Sequence, residues 1–249
     1  MDPLKILFVS GEISPYGSTG GLSEVAEALP QALMHKGVQI YRVMPKYAGI
    51  EKRYPLKRRT HFIVDIGGKP KEAVVYSHKM DGIITLFIEN KEYFERFTYY
   101  GFDDDHLRYG FFCKAVLQMM MVLNLQPDIL HLNDWQTALI SLLIKEEYSS
   151  EILCLRAIHN LQYQGVFPLH ALHDLGLNFR YYNHESLEYH GDISMMKAGL
   201  VYSDMVTTVS NTYANEIQTS LLGHGLDGVL RKYEDKLVGI QNGMKYEKY

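Results

Sequence analysis

The chain has 249 residues, 47% of them hydrophobic, and a formal net charge of −4. That length holds one large α/β domain, or one domain and the start of another, and the apolar fraction excludes general disorder. The slightly acidic balance gives no electrostatic footprint for nucleic acid or an anionic membrane. In chain order, a buried strand (Ile6, Leu7, Phe8, Val9) runs into a glycine-bearing loop and then into an amphipathic helix over residues 22–36. Gly37 stands where a helix-terminating glycine belongs. A strand at 39–44 ends at Pro45, and residues 61–89 break into short apolar or alternating runs separated by Gly-Gly-Lys-Pro-type and Asp-Gly turns. These runs predict an antiparallel meander inserted into the sheet. A polar and aromatic loop over 90–107 precedes a helix at 108–123. Regular alternation follows, with strand 129–132, helix 137–147 and strand 153–158. After a long His/Tyr-rich connection come helix 193–202, strand 205–209, helix 212–219 and a last strand at 237–241. Strands separated by helices imply an α/β, Rossmann-like, mostly parallel sheet with helices on both faces and a small antiparallel insertion.

Two cysteines, Cys113 and Cys154, lie far apart without metal-ligand spacing and read as buried thiols of a cytoplasmic protein. The most apolar run, 115–125, is interrupted by Gln118 and Asn124 and is too short to cross a bilayer. Nineteen tyrosines suit a sugar site, and equally a Tyr-rich core or surface.

Polar residues gather where strands end. Gly20-Gly21 opens the first helix, where free amides and the helix dipole favour an anion. Asn133-Asp134-Trp135-Gln136 follows the strand at 129–132, His159-Asn160 follows the strand at 153–158, and Asn242-Gly243 follows the last. In a parallel sheet, carboxyl ends share one edge and frame a ligand crevice. Each feature also has a plain structural reading: Asp134 as a helix cap, His159 as a satisfied core side chain, Asn242-Gly243 as a turn. Their convergence on one edge is what favours a site. A metal hydrolase reading from His170, His173 and Asp174, with His184 and His190 nearby, competes with solvated loop histidines in a chain holding eleven of them. No HExxH and no GxSxG occurs.

Six segments resemble bacterial glycogen synthases and plant starch synthases. VSGEISPYGSTGGLSEVAEALPQAL is similar to their KxGGL opening, HLNDWQTAL to their HxHDWH segment, and AIHNLQYQGVFP to TIHNLxYQG. SMMKAGLVYSDMVTTVSNTYANEI, GHGLDGVLR and GIQNGMKYEKY resemble the KAGL, GxGLDGVL and NG segments, all in family order. The resemblance covers residues 5–249 and implies a GT-B arrangement, two Rossmann-like domains facing a cleft. Residues 1–249 would be the N-terminal, acceptor-side domain, and the C-terminal nucleotide-binding domain would be missing from this sequence.

The resemblance further implies retaining transfer of glucose from ADP-glucose to the non-reducing end of an α-1,4-glucan, without metal or cofactor. By family pattern, His159 and Asp134 are the catalytic pair. Ser18, Gly20, Gly21 and Asn242 belong to the donor-phosphate side; Asn160, Tyr93 and Trp135 contact sugar or acceptor. Ser18 stands where the family has a lysine, and no Lys or Arg occurs between Lys5 and Lys36. Donor choice, ADP or UDP, is therefore open. Asn133 and Gln136 replace family histidines. Without a second domain to close on the leaving group, the isolated chain is expected to be inactive. The alternative is a non-catalytic glucan-binding or regulatory module on the same fold.

Overall fold

The computed structural model describes residues 3–148 and 150–243. The first elements are β1 (Lys5–Val9), α1 (Gly21–His35), β2 (Gln39–Pro45), α2 (Ile50–Arg53), β3 (Lys57–Ile66), β4 (Lys69–Met80) and β5 (Ile83–Glu89). Next come α3 (Lys91–Phe94), α4 (Asp105–Val122), β6 (Ile129–Asn133), α5 (Leu139–Glu146), β7 (Leu153–Ile158), β8 (Val166–Phe167) and α6 (His170–Asp174). The chain continues through β9 (Glu188–Tyr189), β10 (Asp192–Ser194), α7 (Met195–Tyr202), β11 (Met205–Thr208), α8 (Asn211–Glu216), α9 (Asp227–Lys232) and β12 (Leu237–Gly239). Residues 244–249 of the last family-like segment lie outside the described residues.

The main sheet runs β12-β11-β7-β6-β1-β2-β5-β4-β3. From β12 to β5 every neighbouring pair is parallel. The chain leaves β1 toward β2 and β5, then returns to lay β6 on the other side of β1. That reversal is the topological switch point at which doubly wound sheets open a crevice. The meander is present but placed differently from the expected insertion. It forms one edge of the sheet, and β5 pairs in parallel with β2, so only β4 runs against the other strands. The His/Tyr-rich connection over 159–192 instead holds, together with the first residues of the helix expected from 193, a second small antiparallel sheet, β8-β10-β9. Its strands are two or three residues long, too short to carry a readable period.

Helix α1 ends in a Schellman motif. Gly37 takes φ +89, its amide donates to Met34 O at 2.9 Å, and the Val38 amide donates to Leu33 O at 3.2 Å. Helix α4 is buried nearly all round, with Phe111, Phe112, Val116, Leu117 and Met119 in the core. Its Arg108 is fully buried beside Asp105, and it donates to Tyr93 O at 2.6 Å and Tyr99 O at 2.9 Å. This guanidinium staples the aromatic loop onto the core. Cys113 and Cys154 are buried free thiols, pushed up by burial to about 12 and about 11. Among the described residues, no helix is long and apolar enough to cross a membrane.

Candidate functional site

A crevice of about 1070 Å³ opens at the carboxyl ends of β1, β6, β7 and β12. Gly20, Gly21, Asp134, Trp135, His159, Asn160 and Asn242 all line it, so seven of the nine expected site residues meet in one place. The apolar strands set this up: β1, β6 and β7 are buried through their last residues, and the first polar residues after them emerge together at the sheet edge.

On the β6–β7 side the groups are tightly held. Asp134 takes φ +51 and ψ −170, a conformation that residues with a Cβ rarely adopt. Its amide donates to Ala157 O at 3.0 Å, and its Oδ1 accepts the His159 amide at 2.8 Å. Burial pushes this carboxyl above the usual carboxylate range, against the pull of His159, the His159 and Asn160 amides and Arg156. Asn133 donates from Nδ2 to Val9 O at 2.9 Å, which turns its Oδ1 toward His159 Nε2 at 3.0 Å. In the neutral ring Nε2 therefore carries the proton and Nδ1 keeps a lone pair. Asn133 thus takes a fixed task where the family pattern has a histidine. His131, deeper under the site, is buried against Phe8, and burial pulls it down to about 3, so it stays neutral. Trp135 is 7% exposed and packs edge-on to Tyr109 at 4.9 Å. Gly165, at φ +60, faces the indole so closely that a Cβ would lie 2.4 Å from Trp135 Cε3.

The β1–α1 side is open. The start of α1 carries no side-chain cap, and a Cβ on Gly20 or Gly21 would meet nothing within 4 Å. Such a helix start offers amides and a positive dipole end to an anion. The loop before it is tied by Glu12, a buried crevice residue that the sequence reading passed over. Glu12 Oε1 accepts Thr19 Oγ1 at 2.6 Å and Tyr100 OH at 2.9 Å, while Oε2 accepts the Thr19 amide. Ser18 is exposed and lies outside the crevice lining. Its hydroxyl sits 2.6 Å from Ser23 Oγ, which donates to Gly20 O at 2.8 Å. No lysine or arginine lines the crevice among the described residues.

Tyr93 corrects an expectation. Rather than facing a glucan, it is 2% exposed, with its ring 5.3 Å from Phe111 and its carbonyl held by Arg108. Burial pushes its hydroxyl up to about 12. From the same aromatic loop it is Tyr100 that reaches the crevice, through Glu12. Arg156, beneath the site in β7, is fully buried, and burial pulls it down to about 10. No motif marks it.

Of the histidines weighed as metal ligands, His170 and Asp174 do come together, joined by His106 rather than His173. His106 Nε2 lies 3.3 Å from Asp174 Oδ2, and His170 Nε2 lies 3.9 Å from the same atom. The other nitrogen of His106 is buried without a partner. A metal-bound imidazole almost always donates that second N–H to an acceptor. The cluster is better described as a hydrogen-bonded tie between α4 and α6.

The starch synthase catalytic domain family matches residues 5–232. Glycogen synthase of Clostridioides difficile is 42% identical over 256 residues, which covers 98% of this chain and 53% of that protein. Glycogen synthase of Moorella thermoacetica is 44% identical over 255 residues, covering 99% and 52%. Among solved structures, the catalytic domain of Starch Synthase IV from Arabidopsis thaliana, bound to ADP and acarbose, superposes with a TM-score of 0.92. It is 28% identical and covers 99% of this chain and 53% of that one. The chain therefore spans about half the length of the relatives it matches. By this match, over nearly all of its length and with the strand-end crevice in place, the chain belongs to the glycogen and starch synthase family.

Proposed function

We propose that this chain is the acceptor-side half of a retaining glycosyltransferase that extends an α-1,4-glucan from a nucleotide-activated glucose. The supporting observation is the single crevice in which a helix start (Gly20, Gly21) faces a rigid polar rim (Asp134, His159, Asn160). Cleavage of a glucosyl–phosphate bond builds positive charge on the sugar and negative charge on the leaving diphosphate. The two rims match those two demands. Asp134 lies against the sugar, and its carboxylate stabilises oxocarbenium character when ionised. His159 keeps a ring nitrogen free to accept a sugar hydroxyl. The amides at Gly20 and Gly21 take part of the phosphate charge, with Asn242 at the same edge.

The donor is ADP-glucose by relationship to proteins called glycogen and starch synthases and to a relative bound to ADP and acarbose. No lysine or arginine lines this half of the crevice among the described residues, so the leaving group's counter-charge is to be supplied by groups that do not line it. The chain alone should then bind glucan and transfer nothing. Trp135, the single tryptophan of the 249 residues, provides the test. Maltooligosaccharides should shift its fluorescence saturably, and ADP-glucose with glycogen should yield no elongation by the isolated chain. Fusion to the second half of a relative should restore elongation. A chain whose Trp135 ignores glucans at every concentration, and whose fusion stays silent, is not a glucan transferase domain.

A further inference from the structure

Arg156 occupies a place that packing alone does not explain. It sits within β7 at 0% exposure and, among the described residues, makes no ion pair with a carboxylate. A buried guanidinium with no carboxylate in direct contact, acted on by the Asp134 charge only at a distance, is costly, and an apolar side chain of similar length would pack there at less expense. Its hydrogen bonds go to a single target. Nη1 donates to Asp134 O at 2.8 Å and to Thr137 Oγ1 at 2.9 Å. Nη2 donates to Ser141 Oγ at 2.9 Å, with Thr137 O at 3.3 Å and Ala138 O at 3.4 Å. These acceptors lie in the elbow between β6 and α5, with Ser141 in the first turn of α5.

That elbow contains the strained residue. Asp134 at φ +51 and ψ −170 persists only where the surroundings over-determine it. The end of β7 supplies most of the ties that do so: the Ala157 carbonyl on its amide, the His159 amide on its carboxylate, and Arg156 on its carbonyl, where Thr137 Oγ1 also donates at 3.2 Å. Room for the guanidinium is made by Gly199 of α7, where a Cβ would lie 2.8 Å from Arg156 Nε and 3.0 Å from Cζ.

We propose that Arg156 is a positioning residue: by holding the Asp134 elbow from below, it aims the Asp134 carboxylate and Trp135 into the crevice. It lines no part of the crevice itself. The proposal rests on the reading of this crevice as a sugar site, but its first readout does not. Arg156→Met deletes every donor and keeps the apolar bulk; Arg156→Lys keeps the charge and one donor head. With an unchanged far-UV spectrum, R156M should expose Trp135 to acrylamide quenching, and R156K should restore part of the protection. In the protein carrying this chain, R156M should lower kcat by about 10²-fold, the scale of an ångström-level misplacement, with the KM for the nucleotide sugar close to wild type. Gly199→Ala displaces the guanidinium without deleting it, and it should shift Trp135 in the same direction; if R156M does not fold, this variant decides. Wild-type quenching of Trp135 in folded R156M or folded G199A overturns the proposal. If wild type itself transfers no sugar, the functional reading falls while the Trp135 measurement still judges Arg156.

Discussion

The two rims of the crevice are built on opposite plans. On the β6–β7 rim, Asp134 and Trp135 are buried, His159 is half-buried, and the polar groups of Asp134 and His159 have named partners within the chain. On the β1–α1 rim, Ser18, Gly20 and Gly21 are exposed, the helix start is uncapped, and the nearest buried charge is the carboxylate of Glu12. A preorganised polar rim suits a neutral ligand with many hydroxyls, whose orientation matters more than its charge. A bare helix start suits an anion but contributes only about 0.3–1 kcal/mol when exposed. One rim brings its own hydrogen-bond partners; the other has no lysine or arginine beside it among the described crevice residues.

Four substitutions can break or sharpen that contrast. The largest effect belongs to the rigid rim. His159→Ala, in an assembled enzyme, should lower transfer by about 10²–10³, the usual loss when one preorganised contact to the transition state is removed. A kinetic comparison showing less than a tenfold loss would move the sugar contact away from β7. Next, Gly165→Ala should destabilise the fold by about 2–3 kcal/mol, because a Cβ there must displace the indole of Trp135 and the backbone sits at φ +60. Denaturant titration of the variant measures this, and a neutral result would mean the indole is loosely seated.

On the open rim, Ser18→Lys should tighten ADP-glucose binding in the assembled enzyme about ten- to hundredfold. That is the value of a charge-assisted hydrogen bond of about 1.5–3 kcal/mol at about 1.4 kcal/mol per decade. Unchanged affinity by calorimetry would show that the missing charge is already supplied from another element. The smallest effect is on stability and opposite in sign. Burial raises the Asp134 carboxyl, so the folded state holds its proton more tightly than the unfolded state, and the ionised form is a liability at neutral pH. Asp134→Asn should stabilise the fold at pH 7, with the gain vanishing as pH falls below about 4, the unfolded carboxylate value. Equal melting shifts at pH 3 and pH 7 would refute this assignment.

The parallel core was legible because its strands are apolar runs that stop at polar clusters, and the crevice residues are those first polar positions. What stayed hidden depends on partners distant in sequence. Nothing in β5 itself records that it pairs with β2 in parallel, since its apolar run suits either direction. Glu12 and Tyr100 lie 88 residues apart, and only folding makes them one unit. The face of the aromatic loop was misread at Tyr93 because Arg108, from the following helix, decides which tyrosines are buried. Arg156 looks like a stray charge in a buried strand until the elbow above it is seen.

The meander that closes one side of the sheet also governs how these molecules meet in concentrated solution. Its outermost strand, β3, is ten residues long, with an unpaired row of amides and carbonyls that invites another chain. Lys57, Arg58 and Arg59 stand exposed along its first turn of pleat, and the register slips between Arg58 and Thr60. Clustered cations repel a second copy of the same edge, and the irregularity spoils the flat template that strand addition needs. Repulsion between two such edges thus rests on three basic residues of β3, and added salt, by screening them, weakens it.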